Sequence, residues 1–154
     1  MSVGPIGPVR LVLVHGGFLG PWLWRDVQDA LADRGIDSVA PDLPSVATGS
    51  DLYADAAVVE AAMAESDASI LCGHSYGGMV ITEAAARSEL PVLHLVYVAA
   101  AVPDAGQSLE ILSASLAVAG DNDGGERRFG RVALATVAGH DLNVVRTEPV
   151  PKVE

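Results

Sequence analysis

Cysteine occurs once in these 154 residues, as Cys72, and lysine occurs once. A single cysteine excludes an internal disulfide and a cysteine-built metal cluster, and it fits a reducing compartment where the thiol packs as a small hydrophobe. Basic residues number nine against twenty acidic ones, a formal charge of −11. Such a surface repels nucleic-acid phosphates and anionic lipid, so neither is an expected partner. Long apolar runs are also missing. The strongest, PVLHLVYVAAAVP at 91–103, is too short to span a bilayer and is interrupted by His94. The start, MSVGPIGPVR, lacks the charged segment, apolar region and small-residue cleavage site of a signal peptide, so a soluble cytoplasmic protein is expected. Neither an internal repeat nor a low-complexity tract is visible.

What is present is the composition of a packed globular chain, 50% hydrophobic and 19% charged. The length suits one domain that buries roughly two-thirds of the surface its unfolded form exposes. LVLV at 11–14 is a continuous apolar run ending at His15-Gly16-Gly17, the pattern of a strand covered on both faces. Leu23, Val27, Ala30 and Leu31 recur at helical spacing before Gly35, which predicts an amphipathic helix over about 22–34 and a strand at about 37–40. PDLPSVATGS reads as a turn-rich loop. Leu52, Ala56, Val59 and Met63 then mark one face of a second helix, with Ser50 or Asp51 as its cap. Further strands are predicted at 69–73 and 93–100, with a helix between them that follows Ser75 and runs to about Arg87. Strands alternating with helices argue for βαβ units and a mostly parallel, twisted sheet with flanking helices, an α/β class. Beyond them, 108–118 reads as a helix, AGDNDGGERR as a linker and 132–138 as a fifth strand, before a proline-bearing tail.

Gly73-His74-Ser75-Tyr76-Gly77 is a G-x-S-x-G sequence, and its weight comes from context. A predicted strand precedes it and a predicted helix follows, so Ser75 falls on a sharp strand-to-helix turn. Such a turn demands a strained backbone at the serine and residues without Cβ at 73 and 77, where side chains would collide with the adjoining elements. The N–H of Tyr76, at a helix N-terminus, points where a tetrahedral oxyanion forms, and Gly17 N–H, on the loop after the first strand, is the natural second donor. Both loops leave the carboxyl ends of strands, where open α/β sheets collect ligands.

With LVLVHGGFLGPWLW, APDLP, ILCGHSYGGMV and LVYVAAAVPDAGQS in this order, the sequence resembles the α/β-hydrolase fold family. Within it, the likeness is to the small bacterial and plant esterase and hydroxynitrile-lyase-like branch. It covers about residues 10–110. The resemblance implies Ser75 as nucleophile, Gly17 and Tyr76 as the oxyanion hole, and Phe18 and Trp22 at the acyl pocket or its mouth. No metal and no organic cofactor is implied. His15 and Gly16 organise the first glycine turn, and Gly73, His74 and Gly77 the second, with His74 packed beneath the elbow.

The family order is serine, then Asp or Glu, then histidine. Too few residues follow Ser75 to hold the usual cap, two strands and two helices, so the expected fold is one domain over 1–154 that is incomplete at its C-terminus. It divides into an extension at 1–9, a recognisable core at 10–118 and an atypical segment at 119–154. His140 is the candidate base and Asp141 the candidate acid, against the plainer reading of a solvated loop pair. Neighbours on a strand point oppositely, which disfavours both serving one triad. His94 is expected to be a satisfied core histidine, Trp22 and Trp24 to be core anchors, and Asp104 to be a turn former, with the acid's role as its alternative.

Two functions follow. One is a serine hydrolase of a small, fairly apolar ester, with cyanohydrin cleavage as a variant inside the same family. The other is a catalytically incomplete hydrolase fold that binds a ligand or partner without turnover. A sheet cut short would expose an apolar strand edge and favour homo-oligomers.

Overall fold

The structure, a computed structural model, describes residues 7–104, 106–108, 110 and 111. The predicted linker, the fifth strand at 132–138, His140 and Asp141 all lie outside the described residues, as does most of the helix predicted at 108–118. Within them the chain runs β1 (Val9–Val14), a 3-10 turn (Pro21–Trp24), α1 (Arg25–Ala32), β2 (Ser38–Val39), α2 (Pro44–Thr48), α3 (Leu52–Met63), β3 (Ala68–His74), α4 (Gly77–Arg87) and β4 (Val92–Val98). The four strands form one parallel sheet in the order β2-β1-β3-β4. The chain leaves β1 toward β2 on one side and leaves β3 toward β4 on the other. The sheet therefore has its topological switch between β1 and β3, the place where α/β sheets open a crevice at their carboxyl ends.

The apolar run of β1 is central, as expected. Val12, Leu13 and Val14 are consecutively buried because successive side chains point to opposite, covered faces. On one face Val12, Val14, Leu71 and Leu95 pack with Ala56, Val59 and Met63 of α3 and Val80, Ile81, Ala84 and Ala85 of α4. On the other Leu13 and Cys72 pack with Trp24, joined by Leu11, Leu23, Leu31, Ala40 and Val96. The helix predicted from Leu52, Ala56, Val59 and Met63 is present, and Asp51, not Ser50, caps it by accepting from Ala54 N–H at 3.0 Å.

Four expectations need correction. The segment predicted as one helix over 22–34 starts as a 3-10 turn on Pro21 and becomes α-helical only at Arg25. Its Val27 and Ala30 are exposed, because Trp24 supplies the anchor against the sheet in their place. The supposed loop at 41–50 contains α2, with Pro44 in its first turn and Gly49 at φ 68° as a left-handed stop. His94 is an exposed residue, not a core histidine. It shares a sheet face with Val96 and Val98 on β4, which has no strand on its outer side among the described residues, and α1 packs over the β1 side of that face. Trp22 is 59% exposed and belongs to neither core cluster among the described residues, whereas Trp24 is buried as expected.

Replacing Leu71, fully buried in the middle of β3, with alanine is expected to lower stability by about 2–5 kcal/mol in urea unfolding. A change below about 0.5 kcal/mol would contradict its central place. Burial pushes the Cys72 thiol up from 9.0 to about 11. Unfolded, the thiol ionises first, so its contribution to stability is intact below pH 9 and is lost as pH rises toward 11. Iodoacetamide should therefore alkylate native Cys72 about a hundredfold more slowly at pH 8 than the urea-unfolded chain, and equal rates would refute this.

Candidate active site

β3 delivers Ser75 to the carboxyl edge of the sheet one residue after its last strand position, His74. There the chain must reverse into α4, and Ser75 adopts φ 53°, in the left-handed region that non-glycine residues avoid. Its side chain is exposed. Three main-chain hydrogen bonds hold this conformation. Ser75 N–H donates to Val98 O at 3.3 Å, and Ser75 O accepts from Gly78 N–H at 3.1 Å and from Ala101 N–H at 3.0 Å. The turn is tight enough that a Cβ on Gly73 would lie 2.5 Å from Gly77 O. A Cβ on Gly77 would lie 2.5 Å from Val14 O and 2.8 Å from His15 O. Both glycines are therefore required by close approach of main chain to main chain.

The other glycine turn meets the serine. Val14 of β1 is paired with Gly73 of β3, so the two strands end at the same level. A Cβ on Gly16 would lie 2.9 Å from Ser75 Cβ, and one on Gly17 would lie 3.9 Å from Tyr76 Cβ. Residues 16 and 17 thus stand directly against residues 75 and 76. Tyr76 is the N-cap of α4, and neither its N–H nor that of Gly17 has a protein acceptor among the described residues. The site combines an exposed serine, a second glycine turn packed against it and the positive end of a helix.

His15 is fully buried below this turn. Its Nδ1 donates to Gly16 O at 2.9 Å and its Nε2 accepts from Leu43 N–H at 3.2 Å, an arrangement that puts a ring proton on Nδ1. His74 is partly buried, and its Nδ1 lies near Gly16 without a hydrogen-bond partner. Phe18, at φ 61° and 99% exposed, and Trp22 project from the segment between β1 and α1. Asp104 sits in a turn closed by Gln107, whose N–H donates to Asp104 O at 3.1 Å and whose Oε1 accepts from Asp104 N–H at 2.9 Å. Among the described residues no histidine hydrogen-bonds the Ser75 hydroxyl, and no cluster of three or more His, Cys, Asp or Glu is arranged to hold a metal. No helix among them is long and apolar enough to cross a membrane.

One residue of this region escaped the sequence reading. Asp55, on α3, is fully buried. Its Oδ2 accepts from the Tyr76 hydroxyl at 2.9 Å and its Oδ1 from Ser45 N–H at 2.9 Å. Burial, reinforced by the hydrogen bond to Asp55, pushes the Tyr76 phenol far above its ordinary value. The signal was available: position 55 falls on the same helical face as Leu52, Ala56, Val59 and Met63, where a carboxylate is out of place unless it has buried partners.

The chain is similar to a carbendazim hydrolyzing esterase of Nocardioides sp. (strain SG-4G), 38% identical over 112 residues, which are 67% of this chain and 46% of that protein. It is 31% identical over 110 residues to polyneuridine aldehyde esterase of Rauvolfia serpentina, covering 65% of this chain and 42% of that one. Among solved structures, a crystal structure of polyneuridine aldehyde esterase superposes with a TM-score of 0.64 at 25% identity, over 73% of this chain and 48% of the other. A pyrethroid hydrolase from Sphingobium faniae JZ-2 gives 0.54 at 30% identity, over 60% of this chain and 40% of that chain. The chain spans less than half the length of the curated relatives it matches. A model of the alpha/beta hydrolase family matches residues 11–149, a span that contains the β1 turn, the Ser75 elbow and the strands that join them. On that match, over the fold described here, this chain belongs to the alpha/beta hydrolase family.

Proposed function

We propose that the protein is a serine hydrolase acting on a small ester. The observation that carries this reading is the placement of Ser75, strained and exposed, with Gly16 and Gly17 directly against it. Ser75 Oγ attacks the ester carbonyl carbon and its proton passes to a histidine base. The carbonyl oxygen takes the negative charge and accepts hydrogen bonds from Gly17 and Tyr76 N–H. Collapse of the tetrahedral intermediate expels the alcohol and leaves an acyl-enzyme on Ser75, which water then cleaves to release the acid. His140 is the candidate for the base and Asp141 for the acid. Phe18 and Trp22 would offer an apolar mouth, and the net charge of −11 disfavours anionic substrates. The similar proteins are named esterases and a hydrolase, which supports ester cleavage over the cyanohydrin reaction. Cys72 as a free, buried thiol fits a reducing, cytoplasmic setting.

A fluorophosphonate probe should label the wild-type chain at Ser75 and leave Ser75→Ala unmodified. The same substitution should lower kcat on a small activated ester by about 10⁶-fold, the scale seen when a serine nucleophile is removed. Labelling that persists in Ser75→Ala would overturn the serine's role. A folded wild type that stays unlabelled would favour the second reading, a hydrolase fold that binds without turnover.

A further inference from the structure

Asp55 is costly to bury. It is fully buried on the apolar face of α3 beside Ala56, Val59 and Met63, and no basic side chain forms an ion pair with it among the described residues. A leucine or alanine there would pack the helix without removing a carboxylate from water. What the carboxylate adds is two hydrogen bonds, and both lead to the serine's surroundings. Oδ2 holds the hydroxyl of Tyr76, the residue that follows Ser75 and caps α4. Oδ1 holds Ser45 N–H at the start of α2. Two residues earlier, Leu43 N–H donates to His15 Nε2, and His15 Nδ1 donates to Gly16 O, the carbonyl of the peptide that carries Gly17 N–H. Leu43 is itself 1% exposed, so this link is packed as well as hydrogen-bonded.

We propose that Asp55 is a positioning residue that joins the two oxyanion donors through one buried strut. On one side it orients Tyr76 through the phenol, and on the other it reaches Gly17 through Ser45, Leu43, His15 and Gly16. The inference rests on the reading of Ser75 as nucleophile and of Gly17 and Tyr76 N–H as its oxyanion hole. The two N–H groups belong to separate segments, one after β1 and one at the start of α4, which main-chain packing brings together and which the strut links by polar contacts. Two donors aimed at one oxygen need a common reference, and misplacement of a group by about 1 Å costs on the order of a hundredfold in rate. Asp55 touches neither substrate nor Ser75 and acts only through Tyr76 and the 43–45 segment.

Tyr76→Phe removes one oxygen and keeps the ring, the N–H and the packing, and Asp55→Asn keeps the size while removing the charge. Both are expected to slow fluorophosphonate labelling of Ser75 and lower kcat by about 10- to 100-fold, with KM for a small ester held within about twofold. The double variant should lose no more than the worse single one, because both break the same link. In amide NMR spectra of the folded wild type and Tyr76→Phe, the Gly17 resonance should shift together with that of residue 76. A labelled wild type beside a Tyr76→Phe chain that labels at the same rate, with Gly17 unshifted, overturns the strut and leaves the serine assignment standing. A folded wild type that does not label overturns the serine reading and the strut with it.

Discussion

The parallel ladder between β1 and β3 is the constraint on which the site depends. Its pairs run from Val9 with Ala68 to Val14 with Gly73, so both strands release the chain at one level. Had β3 slipped by a single residue, every one of its side chains would have changed face, and the serine would have met the wrong part of the glycine turn. The ladder is secured from both sides. Val12, Val14 and Leu71 lie under α3 and α4, and Leu13 and Cys72 lie under Trp24. Because β2 and β4 flank this pair on opposite sides, the chain continues from β1 and from β3 toward opposite sides of the sheet, and the site lies at the switch between them.

Strain at Ser75 is held in place by the same framework. A non-glycine residue at positive φ costs on the order of 1–3 kcal/mol and persists only where its neighbours overdetermine it. Here Val98, Gly78 and Ala101 fasten the main chain of the residue at both its N–H and its carbonyl. Gly77 permits α4 to start against the carbonyls of Val14 and His15, which ties the elbow to the end of β1. The hydroxyl is thus presented to solvent by main-chain geometry, and its side chain needs no packing to keep it there. Asp55 adds a polar tie from the opposite, buried side, through Tyr76.

Sequence was most informative where one physical cause dominates. LVLV at 11–14 reads as a central strand because burial on both faces leaves no polar alternation, and G-x-S-x-G reads as a tight turn because only glycine tolerates those contacts. The face of α3 is legible from its spacing for the same reason. It was less informative where tertiary packing chooses among equals. Nothing local tells that Trp24 is anchored while Trp22 is exposed, or that His94 faces a part of the sheet left uncovered among the described residues. Short α2 was missed although its proline start and glycine stop were in view, because five residues carry too little periodicity to register. Asp55 was passed over because an apolar stripe is read from its apolar members, and the partners of its one polar member lie 10 and 21 positions away in the chain.

A crystal structure of the wild-type chain carrying a phosphonate on Ser75 tests the central claim most directly. The phosphoryl oxygen is predicted to lie about 2.7–3.1 Å from the main-chain nitrogens of both Gly17 and Tyr76. An adduct whose oxygen points to solvent, or that reaches neither nitrogen, would contradict the account.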